Sequence, residues 1–200
     1  MKILALHGPA GVGKSTICDW FVKNAGYVEL ALADPMKQFV FDLWGYDTPS
    51  GNAPERLRDA LWGPSAGRAS MMATSRPHPN HVEIAEAFAS QLGAPGEVSG
   101  LLAWVDGVRA RSLLTAREVL QTLGTEWGRR IGQDVWVRHL LDRRVPEVSR
   151  PEWFGWKGEW GSGMEHTPSG IVVPDVRFAN ELGCMRTMRW IGSQLIMVSA

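Results

Sequence analysis

Residues 8–15 read Gly8-Pro9-Ala10-Gly11-Val12-Gly13-Lys14-Ser15, the pattern G-x4-G-K-S/T, and Thr16 follows. No other stretch of this chain limits its fold as tightly. The apolar run KILAL at residues 2–6 precedes it, and such a run ahead of a tight turn reads as a buried parallel strand. Residues 14–25 read as a helix, with Ile17, Phe21 and, beside them, Trp20 facing inward and Gly26 at the stop position. Strand, glycine-rich turn and helix in that order make a phosphate cradle. Glycines let successive N–H groups curl onto phosphate oxygens, and the helix N-terminus adds a positive potential at the same place. Gly8, Ala10, Gly11, Val12, Gly13, Lys14, Ser15 and Thr16 are therefore the candidates for holding ATP. Lys14 has the reach for the β- and γ-phosphates, Ser15 can ligate Mg²⁺, and Thr16 can set a hydroxyl near the α-phosphate.

The rest of the chain supplies partners for that first strand. YVELALA (27–33) reads as a second strand and IVVP (171–174) as a third, while RWIGSQLIMVS near the end contains a last one. Helices are expected at 34–44, closed by Gly45, around 54–62, at 81–92 with Val82, Ala85, Phe88 and Leu92 on one face, at 115–130, at 133–144 and at 178–187. The helix at 115–130 opens on the capping box Thr115-Ala116-Arg117-Glu118. Its buried stripe is expected to be Leu120, Leu123, Trp127 and Ile131, and that of the next helix Trp136, Val137, Leu140 and Leu141. Strands alternating with helices predict an α/β fold with a parallel sheet. Residues 46–112 have a weaker pattern and read as a mostly helical or irregular insertion over the core, and 146–168 as a Trp-rich loop. The whole chain, 1–200, is expected to form a single domain carrying these segments.

Four sets of side chains can carry chemistry beside the cradle. Asp175 ends the third strand, where a carboxylate can hold Mg²⁺ or simply cap the following helix. Arg177, two residues on, suits a phosphate or is a surface charge. Arg117 and Gln121 are four residues apart on one helical face, which Gly124 and Gly128 continue. They suit a phosphate and a base edge, or form a solvated face. Arg129 and Arg130 are further phosphate candidates. Asp34 reads as an N-cap with Pro35 at the first helical position. Lys37, in that first turn, opposes the helix dipole, which an anion nearby would explain. His78 and His81 have H-x-x-H spacing in a Pro-rich loop without further ligands.

Composition narrows the classes. Basic and acidic residues balance at 21 each, so no overall basic field favours nucleic acid. A 44% hydrophobic content over 200 residues allows a real core, and most of the ten tryptophans, Trp20, Trp44, Trp127 and Trp136 among them, are expected inside it. Cys18 and Cys184 have neither metal nor disulfide spacing, which favours a reducing, cytoplasmic setting. MKILAL is too short for a signal-peptide core, and no run has membrane-spanning length.

The segments GPAGVGKST, ALADPMKQFV, REVLQTLGTEWGR with DVWV, and VVPDVRFANEL occur in this order. Together they resemble the deoxynucleoside monophosphate kinases of tailed bacteriophages, over most of the chain outside 46–112 and 146–168. The resemblance implies a P-loop NTPase-like three-layer α/β/α fold. It implies transfer of the γ-phosphoryl group of ATP, with Mg²⁺, to a deoxynucleoside monophosphate in the host cytoplasm. Lys14, Asp175 and Arg177 would be catalytic, with Ser15 and Asp175 on the metal. Asp34, Lys37, Arg117, Gln121 and Arg129 would serve the acceptor. The implied partners are these small molecules, with no nucleic acid and no membrane, and a homodimer is compatible. Such kinases usually carry an arginine-bearing lid and a core strand after the fourth; here the sequence ends at QLIMVSA, so both are expected to be missing or replaced. A P-loop kinase for another small acceptor, or an ATP-binding switch that transfers nothing, are the competing readings.

Overall fold

The computed structural model describes residues 2–8, 12–46, 54–63, 67–149, 168–176, 179–187 and 194–199. The chain is mixed α/β and mostly helical, and it divides into two compact units, Met1–Leu32 with Trp136–Ala200, and Ala33–Val135. The second is wider at both ends than the expected insertion at 46–112. No helix among the described residues is long and apolar enough to cross a membrane.

The first unit is built on a four-stranded parallel sheet in the order β2-β5-β1-β6, from β1 (Lys2–His7), β2 (Tyr27–Glu29), β5 (Gly170–Val176) and β6 (Gln194–Ser199). β1 lies between β5 and β6. Its Ile3, Leu4, Ala5 and Leu6 are all buried, as a central strand covered on both faces requires. β5 matches it with Ile171, Val172, Val173 and Val176, each fully buried. Helix α1 (Lys14–Ala25) stops at Gly26, whose left-handed φ of 66° lets its N–H donate to the Phe21 carbonyl. The expected inner face of α1 is corrected. Ile17 is 37% and Trp20 55% exposed, whereas Cys18 is buried against Leu4, Leu6 and Val172, with Phe21 beside them. The bulkiest side chains suggested one phase, but the packed face is carried by Cys18, a small hydrophobe. Burial raises the Cys18 thiol pKa far above its usual value, with the Glu29 carboxylate adding to it.

A helical run closes this unit's return: α8 (Val135–His139), a π-helical turn at Leu140–Arg144 and α9 (Val145–Ser149). Trp136, Val137, Leu140 and Leu141 are buried, as the periodicity predicts. The helix runs five residues past the expected 144, across Pro146. Helix α10 (Ala179–Thr187) lies between β5 and β6 in the chain. Trp153, Trp156 and Trp160 fall outside the described residues.

The second unit is helical around aromatic side chains: α2 (Asp34–Trp44), α3 (Pro54–Trp62), α4 (His81–Gln91), α5 (Val98–Arg111), α6 (Ala116–Thr122) and α7 (Gly128–Ile131), with a short antiparallel pair, β3 (Met71–Ala73) and β4 (Leu113–Thr115). Among the described residues none of its strands pairs with the parallel sheet, as expected. Phe39 and Phe88 stack at 4.2 Å between centroids, and Trp44, Trp104 and Trp127 pack around them. Each of these indoles has a hydrogen-bond acceptor, respectively the Thr74 carbonyl, Thr122 Oγ1 and the Glu97 carbonyl. Large aromatic rings are thus buried without stranding a polar N–H. Val82, expected inside α4, is 40% exposed, while Ala85 and Phe88 are buried. Helix α5 lies in a stretch whose glycines, Gly100 and Gly107, lower helix propensity; burial of Leu101, Trp104, Val105 and Val108 holds it.

Candidate functional site

The glycine-rich turn joins β1 to α1 in the first unit. Gly8 has φ 147° and Gly13 φ 87°, both on the positive side open to glycine. Gly13 is the N-cap of α1, and its carbonyl accepts from the Ile17 N–H. A Cβ at Gly13 would meet nothing within 4 Å. Backbone conformation, not crowding, therefore demands glycine there. The Lys14 ammonium folds back and donates to the Gly8 carbonyl at 2.6 Å. It spans the two ends of the loop. Ser15 and Thr16 are exposed on the first turn. That turn contains no acidic residue, so no side chain there offsets the positive N-terminal end of the helix. Pro9, Ala10 and Gly11 lie outside the described residues.

Asp175 lies near the carboxyl end of β5, the strand beside β1. The β1–β5 register passes through a bulge between Ala5 and His7 and re-forms at His7 opposite Val176. Asp175 therefore lies at the same end of the sheet as the turn. Its Oδ1 accepts the Leu32 N–H at 2.8 Å. Its charge reaches α1, where it is one of the smaller contributions raising the Cys18 thiol. Because α10 begins only at Ala179, Asp175 is a strand-end carboxylate and not the cap of that helix. Arg177 lies outside the described residues.

The sheet order gives this location a further property. From β1 the chain moves two places to β2 on one side, and from β5 it moves two places to β6 on the other. Right-handed crossovers running in opposite directions cover opposite faces. The carboxyl ends of β1 and β5 thus flank a topological switch point, where open α/β sheets form their ligand crevice. The donor set there suits Mg²⁺: a hydroxyl from Ser15 and a carboxylate from Asp175 are hard oxygen ligands, and Mg²⁺ needs only one or two from protein. Among the described residues no group of three or more His, Cys, Asp or Glu makes a metal site, His78 and His81 included.

The acceptor candidates all belong to the second unit, and two readings change. The N-cap of α2 is Ala33, and Asp34 sits inside the first turn. There Asp34 Oδ1 takes a hydrogen bond from Lys37 Nζ at 3.0 Å. Lys37 is 8% exposed. A partner in its own turn therefore accounts for a lysine against the dipole, and no outside anion is needed. Arg117 and Gln121 are exposed on α6, after a capping box in which Glu118 Oε2 accepts from the Thr115 N–H at 2.8 Å. Gly128 does not extend their face. A π-helical turn, Leu123–Trp127, in which the Gly128 N–H donates to the Leu123 carbonyl, inserts one residue and rotates the helix beyond it. Gly128 is buried. A Cβ on Gly124 would come 3.2 Å from Met36 Sδ, so that glycine makes room for a methionine. Leu123 and Trp127 keep their expected burial, and Arg129 is exposed.

Sequence reasoning missed a groove in this unit between α5 and the α6–α7 run, walled by Trp104 and Trp127 and edged by Arg111 and Arg130. Its signal was present in the helical spacing of Gly100, Ala103 and Gly107, inside a stretch read as mostly helical or irregular. No protein-family model matches the chain, and no curated protein matches it.

Proposed function

We propose that this chain is a P-loop kinase, with the three-layer fold of that class, which transfers the γ-phosphoryl group of ATP to a deoxynucleoside monophosphate. The observation that carries the phosphate-binding half is the turn itself. Gly13 is left-handed at the head of an acid-free first turn, Lys14 spans to Gly8, and Asp175 stands at the end of the neighbouring strand. The acceptor half rests on the resemblance of the Arg117–Arg129 and Asp175–Arg177 segments.

In this reading the first-turn N–H groups and the Lys14 ammonium bind the β- and γ-phosphates. Lys14 exchanges the Gly8 carbonyl for phosphate oxygens, a stronger, charge-assisted partner. Ser15 and Asp175 would hold Mg²⁺, which would neutralise charge on the phosphates. The hydrogen bond from Leu32 fixes the Asp175 carboxylate, so its orientation is set before nucleotide arrives. Arg117 holds the acceptor phosphate and Gln121 reads the base edge. No general base is required, because a phosphate monoester is already an anionic nucleophile. Water must be excluded during transfer, or ATP is hydrolysed instead.

The test is a panel of the four deoxynucleoside monophosphates with ATP and Mg²⁺ on the 200-residue chain, with chromatography of the products. Diphosphate formation from at least one is expected. Transfer to none of them overturns the reading.

A further inference from the structure

Strand β5 is paired on both sides, and yet it carries a proline. Its Ile171, Val172, Val173 and Val176 are fully buried, whereas Pro174 and Asp175 are half-buried. A proline inside a paired strand removes a ladder hydrogen bond, so prolines keep to sheet edges, strand starts and bulges. The β1–β5 register supplies the bulge. From Ala5 to His7 β1 advances two residues, while β5 advances three, from Val173 to Val176. The surplus residue therefore falls at Pro174–Asp175. A bulge interrupts the alternation of a strand and re-aims a side chain. Here it falls on the single acidic residue of β5.

The β2 side of the strand shows what the proline withholds. β2 and β5 run in parallel register through Tyr27, Val28 and Glu29. The Leu30 N–H extends that ladder to the Val172 carbonyl at 3.0 Å. In a parallel ladder the N–H and C=O of one residue reach the two residues that flank its partner. The Leu30 carbonyl is therefore due an N–H from position 174, and a proline has none. The next rung in the same register would run from the Leu32 N–H to the carbonyl of residue 174. Instead Leu32 donates to Asp175 Oδ1 at 2.8 Å. A side chain has taken the place of a backbone acceptor. Leu30, Ala31 and Leu32 are all buried, so a donor in this segment needs an acceptor from the protein.

We infer, on the reading of Asp175 as a Mg²⁺ ligand, that Pro174 is a positioning residue for that carboxylate. By ending the backbone ladder one rung early, Pro174 leaves the Leu32 N–H to Asp175 and so holds the carboxylate at the P-loop end of the sheet. Pro174 itself touches neither nucleotide nor metal and acts through Asp175. An N–H at position 174 would let the ladder run on, set Leu32 opposite a backbone carbonyl and release the carboxylate from that donor. Strand termination alone does not account for the proline, because β5 continues past it and pairs Val176 with His7.

The test uses the full chain and two measurements. Calorimetry compares ADP binding in EDTA with ADP binding in Mg²⁺. Nuclear magnetic resonance reads the coupling from the Leu32 nitrogen through its hydrogen bond, which identifies the acceptor carbon. In the wild type Mg²⁺ is expected to tighten ADP, and the coupling to end on Asp175 Cγ. Pro174→Ala is expected to leave metal-free ADP affinity unchanged and to move the Leu32 coupling to the carbonyl carbon of residue 174. The Mg²⁺-dependent gain is expected to fall about tenfold or more, as when a supporting group at a metal site is lost. Asp175→Asn is expected to lose the gain while keeping the Leu32 coupling on the side chain. A gain unchanged in Pro174→Ala overturns the positioning role, as does a coupling that stays on Asp175 in that variant. The wild-type coupling needs no variant, and its absence overturns the bond on which the inference stands. A wild type without any Mg²⁺-dependent gain, or a gain left whole by Asp175→Asn, overturns instead the metal reading of Asp175, and the inference with it.

Discussion

The two units of this chain place their chemistry in different parts of the polypeptide. In the first, the candidate chemistry is mainly backbone: two positive-φ glycines, an uncapped helix start, one lysine bent over them and one carboxylate at a strand end. In the second, it is side chains spread over helix faces: Arg117 and Gln121 on one face of α6, and Thr122, Glu126 and Arg130 on another. A backbone site has to be contiguous, so it leaves a readable motif. A helix-face site is scattered at intervals of three and four, and its composition depends on helical phase. The difference teaches where each unit is fragile. The first loses function through single atoms, the second through rotation or packing.

The sharpest test of this contrast is Lys14→Ala. It removes the one ammonium that spans the loop, so phosphoryl transfer is expected to fall by three orders of magnitude or more, roughly 4 kcal/mol, while thermal unfolding shifts little. A variant with more than about a tenth of wild-type turnover breaks the assignment. Asp175 comes next and separates two jobs. Asp175→Asn keeps an acceptor for the Leu32 N–H, so stability is expected to hold while Mg²⁺-dependent turnover drops about 10–100-fold. Asp175→Ala loses the acceptor as well and is expected to cost a further 1–3 kcal/mol or so of stability. Equal melting temperatures for the two variants would show that the Leu32 bond contributes nothing.

Arg117→Ala carries a smaller expected effect, about a tenfold rise in KM for the acceptor with ATP kinetics unchanged. Unaltered acceptor kinetics removes Arg117 from the site. The smallest effect belongs to the cap that starts α6. Thr115→Ala is expected to cost about 1 kcal/mol, read by chemical denaturation. The Thr115 N–H and hydroxyl hold the Glu118 carboxyl below its usual range. A depressed carboxyl stabilises the fold above its unfolded pKa of about 4.3, and that contribution disappears as pH falls through the lower folded value. Glu118→Gln is expected to flatten stability in this acid window, and an identical pH profile would refute the linkage.

Much of the fold was legible because its signals are local. β1, α1 with its Gly26 stop, α2 with Gly45, α3 and the Thr115 capping box all lie where apolar runs, caps and glycines put them. The parallel sheet was readable from strands alternating with helices, and Trp44, Trp127 and Trp136 are inside as expected. The features that stayed hidden depend on partners distant in sequence. Trp20 is large and apolar yet exposed, because α1 packs on the strands through Cys18 and Phe21 instead. Helix α5 is held by burial of Trp104 and its neighbours against glycines that disfavour it. The Asp34–Lys37 pair was invisible because both residues already had plausible separate roles. On the donor side the motif named its residues one by one. On the acceptor side it named a helix face, and a single extra residue in the π turn was enough to separate Arg117 from Gly128 below it.

That extra residue has a consequence for how the chain tolerates change in length. The stretch from Ala116 to Ile131 winds sixteen residues where an uninterrupted α-helix spanning the same turns would need one fewer. Helices normally reject a one-residue deletion, since everything beyond it swings by about 100°. Here the surplus makes Thr125, inside the π turn, a position whose removal restores regular winding. Gly128, Arg129 and Arg130 would keep both their helix and the directions they face. This stretch is a splice point where losing one codon leaves the hydrogen-bond ladder whole and the side chains beyond it in place.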